Sequence, residues 1–212
     1  MKIEERAIPF EVRIESAEGK PAKVTGTGAV YERRSQDLGG FVEIIRRGAF
    51  KDSLEDGHEI KSFYNHDPNQ VLGTTTSEPP LKIRDTKEGL NFTVEIPDTS
   101  YGRDLQENLK RKNVKGSSFA FRVLDGGENW YRDDKGMTVR EITAAEIFEL
   151  GPVTNPAYLP TTAAVRSLEE QKDSHIPALR AHEQELEIAQ RARARRKREI
   201  EGLLTQTGGK KT

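Results

Sequence analysis

Apolar and polar residues alternate along much of the first 165 positions, and the alternation predicts strands. From position 90 to 96, Leu90, Phe92, Val94 and Ile96 are apolar while Asn91, Thr93 and Glu95 are polar, a period of two that puts one face on a core and leaves the other wet. Phe119, Phe121 and Val123 repeat it, with Ser118, Ala120 and Arg122 on the other face. Residues 10–14, 24–30 and 138–143 are further short segments rich in β-branched or aromatic side chains, which suit a pleated, half-buried surface. Gly39 and Gly40, Pro79 and Pro80, Gly126 and Gly127, and the stretch 134–136 punctuate them as turns.

Two stretches read as helices. One covers residues 48–55. The other runs from about 101 to 112, with Leu105 and Leu109 four apart and Asp98, Thr99 or Ser100 placed to cap its start. It leads directly to Ser118. Beyond Pro160 the composition shifts to Ala, Glu, Gln and Arg, and residues 178–201 contain no glycine or proline, which favours helix. The apolar stripe there is poor: Leu179 and Leu186 are seven apart, but the next heptad position is Arg193, so no coiled-coil seam is sustained. The pattern predicts a sheet-dominated domain over residues 1–165 and a helical or disordered tail over 166–212.

Charge sharpens that boundary. The tail carries 11 Lys and Arg against 8 Asp and Glu, so the first 165 residues hold −4 of a net −1. A chain of 212 residues suffices for one domain with an appendage. It contains no cysteine, which removes disulfides, thiolate zinc sites and a cysteine nucleophile. No stretch approaches the apolar length of a membrane span or a secretory leader, and the chain reads as cytosolic and unprocessed at its start. The basic run 191–198 reads as a solvated helical face, with nucleic-acid binding the lesser alternative.

Candidate chemistry is sparse. Of four histidines, His175 and His182 lie in the tail. His58, in the acidic turn 55–59, reads as solvent-exposed. His66 follows the aromatic pair Phe63 and Tyr64 and sits in Asn65-His66-Asp67-Pro68, where a strand ends in a turn; spacing alone reads it as a structural or surface histidine. Ser117 and Ser118 stand where a helix and a basic turn deliver the chain to a strand, and Ser118 shares the face that Ala120 leaves open. A pair of serines after Gly116 also serves simply to bond a turn. Glu146 and Glu149 lie in the most apolar segment of the chain, where a carboxylate needs a partner such as a histidine.

In this order, Gly48-Ala49-Phe50 with Leu54, Asn65-His66-Asp67 with Leu72-Gly73, Gly116-Ser117-Ser118-Phe119-Ala120-Phe121, and the run from Phe148 to Ala157 resemble the prohead, or procapsid maturation, proteases of tailed phages, relatives of the capsid-assembly protease of herpesviruses. The resemblance covers about residues 3–165. It implies that His66 is the general base and Ser118 the nucleophile of a serine endopeptidase that needs no cofactor. Glu149 fits the phage pattern for the third member. Glu146 is its rival, since the two project from opposite faces of a regular strand and the sequence does not say which face meets His66. Ala120 stands where the family pattern has glycine, and Gly151 where it usually has serine. The resemblance further implies an antiparallel β-barrel-like domain like the herpesvirus enzyme. Its substrates would be scaffold, the N-terminal extension of the major capsid protein, and the chain itself, all inside the immature shell in the host cytoplasm. A non-catalytic assembly or scaffolding component is the alternative from another class.

Overall fold

A computed structural model of the chain describes residues 3–9, 12–154 and 156; the tail expected over 166–212 lies outside them. In chain order the elements are β1 (Glu4–Ile8), β2 (Arg13–Glu15), β3 (Lys23–Val30), β4 (Phe41–Ile45), α1 (Lys51–Glu55), β5 (Lys61–Phe63) and β6 (Val71–Thr74). There follow β7 (Lys82–Asp85), β8 (Gly89–Glu95), α2 (Ser100–Lys110), β9 (Gly116–Val123), β10 (Glu128–Arg132), β11 (Thr138–Ile142) and β12 (Ala145–Val153). The alternation is obeyed where it was plainest: Leu90, Phe92 and Val94 of β8 are buried, while Asn91 and Thr93 between them are half-exposed.

Three open sheets result, with strand orders β1-β9-β12-β5-β6, β10-β11-β4 and β2-β3-β8-β7. The barrel-like, wholly antiparallel arrangement is not what the pairing gives. No ladder joins β1 to β6, and β12 runs parallel to β5, as β11 does to β4. Strands that could have closed a barrel pair in sheets of their own, and packed side chains join those sheets instead. Phe50, at the start of α1, meets the rings of Phe119 and Phe121 edge-on at 6.1 and 6.3 Å. Truncating any one of the three to alanine would cost about 3–5 kcal/mol in transfer and cavity energy.

α2 begins at Thr99, whose hydroxyl accepts from Gly102 N, and it buries Leu105 and Leu109. The cap satisfies one of the free amides of the first turn. No helix among the described residues is long and apolar enough to cross a membrane.

Charged side chains also join the sheets. Arg6 of β1 forms a fork on Glu43 of β4 and bonds Glu4, and Arg140 of β11 bonds Glu4, Glu43 and Glu128 of β10. Both arginines, Glu4 and Glu43 are buried. Burial works to raise the Glu4 carboxyl, but Arg140 and Arg6 outweigh it and hold that group below the usual carboxylate range. Buried charges persist only when paired and bonded in this way.

Candidate active site

β9 runs between β1 and β12, and its third residue, Ser118, stands opposite Ala7 on one side and Gly151 on the other. Phe119 and Phe121 point inward, so Ser118, Ala120 and Arg122 point out, as alternation requires. That outer face is nevertheless covered near its start: Ser118 is 1% exposed, because the imidazole of His66 lies over it.

His66 comes from the turn after β5. Asn65 and His66 both adopt left-handed backbone, with φ of 56° and 59°, a conformation that asparagine tolerates better than most residues. The turn is fastened to the end of β12: Asn65 N donates to Pro152 O at 3.0 Å, and Asn65 Oδ1 accepts from Thr154 N and Oγ1 at 2.8 and 3.1 Å. Asp67 Oδ1 accepts from Asn69 N and closes the turn. Gly151 explains itself here. A Cβ at that position would fall 2.1 Å from the Phe63 carbonyl oxygen, so the missing side chain lets the end of β5 approach Ser118.

From Ser118 outward the polar atoms form one line. His66 Nε2 is 2.6 Å from Ser118 Oγ, and His66 Nδ1 is 2.9 Å from Glu149 Oε2. Ser118 Oγ is also 2.9 Å from the Arg6 carbonyl oxygen. A hydroxyl has one proton, so the two contacts alternate with the state of the ring. The imidazolium donates from Nε2 to Ser118, which then donates to Arg6; the neutral ring, its proton on Nδ1 toward Glu149, accepts from Ser118. Burial pushes the His66 pKa down, but the bond to Glu149, the Glu149 charge and the charge of Glu5 push it up by more, so it lies above the ordinary imidazole value.

Glu146 does not reach His66; it bonds Arg122. The expectation that Glu146 and Glu149 face opposite ways fails for a definite reason. The register of β12 on β9 shifts between Ile147 and Glu149, and this bulge at Phe148 turns both carboxylates to the outer face. His58 is likewise not the exposed histidine expected: it is half-buried, with Nδ1 2.5 Å from Asp56 and Nε2 2.6 Å from the Ile147 carbonyl. Ser117 turns inward and bonds Thr27 O. Sequence reasoning missed Asn65, Glu5 and the Arg6 carbonyl. Asn65 had a signal, an asparagine before a turn, whereas a backbone carbonyl has none.

A cavity of ≈ 160 Å³ lined by Arg6, Ile8 and Phe119 among others lies on the opposite face of β1 and β9 from Ser118, since Arg6 and Phe119 are register partners on the inner side. It is separate from this line of groups. Among the described residues no cluster of three His, Cys, Asp or Glu is arranged to hold a metal ion.

Serine, imidazole and carboxylate joined in this order form an arrangement that can strip a hydroxyl of its proton for attack on a carbonyl. The chain belongs to the caudovirus prohead serine protease family, whose model matches residues 9–174, and it is a protease of phage capsid maturation by that membership. Among solved structures it is similar to the capsid assembly protease gp21 of bacteriophage T4, at 10% identity and a TM-score of 0.45, over 71% of this chain and 98% of that one. No curated protein matches it.

Proposed function

We propose that the chain is the serine endopeptidase that matures a tailed-phage procapsid, with Ser118 as nucleophile, His66 as general base and Glu149 as the group that orients His66. The observation that carries the assignment is the continuous line of bonds Ser118–His66–Glu149, at 2.6 and 2.9 Å, built from three separate segments. In the first step His66 Nε2 takes the Ser118 proton as Oγ attacks the peptide carbonyl. The imidazolium, held by Glu149, then returns that proton to the leaving amine and an acyl-enzyme remains. Water, deprotonated by the same nitrogen, releases the acyl group. No cofactor takes part.

Family membership and the motif resemblance support the scaffold, the N-terminal extension of the major capsid protein and the chain itself as substrates, met inside the procapsid in the host cytoplasm. The charged tail over 166–212 would then tether the enzyme in the shell until self-cleavage removes it. Kinship with the herpesvirus assembly protease rests on the motif resemblance.

Ser118→Ala, co-expressed with the capsid protein, is expected to leave particle assembly intact and abolish cleavage, read by mass spectrometry of the shell. Unchanged cleavage would overturn the assignment in favour of a non-catalytic assembly role.

A further inference from the structure

The bulge of β12 has a specific consequence for Glu149. Ile147 stands opposite Phe121 and Glu149 opposite Ala120, so Phe148 has no partner on β9. On a regular strand Glu149 would share the face of Ile147 and point into the core. The extra residue alone carries it to the outer face, where His66 waits. β5 pairs with β12 only at Glu149, so the backbone groups of Ile147, which adjoin the bulge and face away from β9, need other partners.

Those partners come from α1 and the turn after it. Ile147 N donates to Ser53 Oγ at 2.9 Å, and Ile147 O lies 2.6 Å from His58 Nε2. The other ring nitrogen of His58 lies 2.5 Å from Asp56 Oδ1, which also accepts from His58 N at 2.9 Å. A carbonyl and an ionised carboxylate only accept. A neutral imidazole has one N–H and can serve one of them; the imidazolium has two and serves both.

We propose that Ser53 and the imidazolium of His58 are positioning residues that clamp the bulge of β12 and so keep Glu149 on His66, and that deprotonation of His58 loosens the clamp. The inference rests on Ser118, His66 and Glu149 acting together as proposed above. The groups facing His58 are Asp56 on its own turn and, on β12, Glu146 and the ring of Phe148, whose centroid is 6.0 Å away. Glu146 is bonded by Arg122 of β9, which also lies over Phe148. Burial pushes the His58 pKa down, but the Ile147 carbonyl, the Asp56 bond and the charges of Asp56 and Glu146 push it up by more.

The test uses the full chain and a fluorophosphonate, which needs no knowledge of the peptide substrate. Ser118 Oγ bonds to phosphorus, fluoride leaves, and the serine proton departs through His66. For the wild type the labelling rate is expected to rise as His66 loses its proton and to carry a separate downward inflection where His58 loses its own. His58→Ala and Ser53→Ala should each label about tenfold more slowly at neutral pH, the loss of one bond to the bulge. His58→Gln, whose amide donates to Ile147 O at every pH, should recover most of the rate and abolish the downward inflection. Wild-type rates and pH profile in His58→Ala would overturn the clamp. Absence of labelling in the wild type would overturn the catalytic assignment instead. An independent reading comes from nitrogen-15 NMR of the wild-type imidazoles: both His58 nitrogens protonated at the pH of maximal labelling supports the clamp, and a neutral His58 there overturns it even where a variant fails to fold.

Discussion

To take a proton from Ser118, His66 has to be neutral, and every charge near it works against that. Glu149 at 2.9 Å and the charge of Glu5 favour the imidazolium more than burial disfavours it. Stability and activity therefore respond to pH in opposite directions. A folded-state pKa above the unfolded value of about 6.5 gives stability that is complete below that pH and lost as pH rises through the folded value. Acylation of Ser118 turns on over the same interval. The acid limb of the labelling rate is expected above pH 6.5, and Glu5→Gln should move it down while sparing the plateau. Glu149→Gln should also move the limb down, but lower the plateau by about 10³–10⁴-fold, since a wrongly oriented tautomer wastes the base. Glu146→Gln, at a residue that bonds Arg122 and faces His58 but does not reach His66, should change the plateau no more than about threefold. Equal losses in the two variants would sink the assignment of Glu149.

Elements hold these residues by their ends. The turn bearing His66 stays left-handed because Asn65 tolerates that backbone and because its side chain ties the turn to Thr154 past β12. Asn65→Leu removes both bonds and adds a disfavoured left-handed residue, so it should lower the unfolding free energy by about 2–3 kcal/mol. Asn65→Asp keeps an acceptor for Thr154 and should lose less; urea denaturation of the two variants separates these outcomes. Much at this scale was legible in the sequence. The two-residue period of β8, a cap for α2 among residues 98–100 and the inward Phe119 and Phe121 are local facts, written in neighbouring residues. The bulge was not legible, because one extra residue between Ile147 and Glu149 leaves the composition unchanged and shows only against β9. His58 was misread for a related cause: its acceptor at Ile147 is 89 positions away.

Among the described residues, sheets that share no ladder are joined by the packed apolar core and by the buried ions around Arg6 and Arg140. Alternation cannot reveal such ions, because charged residues in a strand read as solvent-facing, and it says nothing of whether sheets close or stay open. Arg140→Met should cost about 3–5 kcal/mol in urea unfolding, since it leaves Arg6 alone to hold the two buried carboxylates of Glu4 and Glu43. Replacing Glu4 and Arg140 together by apolar residues should cost less than that single change. Glu4, held below its ordinary value, gives stability that is present above about pH 4.5 and lost as pH falls through the folded value.

The hydrogen bonds that converge on Ser118 and His66 span 52, 83 and 112 positions of chain. Contacts of such separation form only after distant segments have been made and brought together. Until a ribosome has passed Glu149, the proposed nucleophile and base lack the carboxylate that would orient them, so the proposed activity can arise only once nearly the whole described domain has been made.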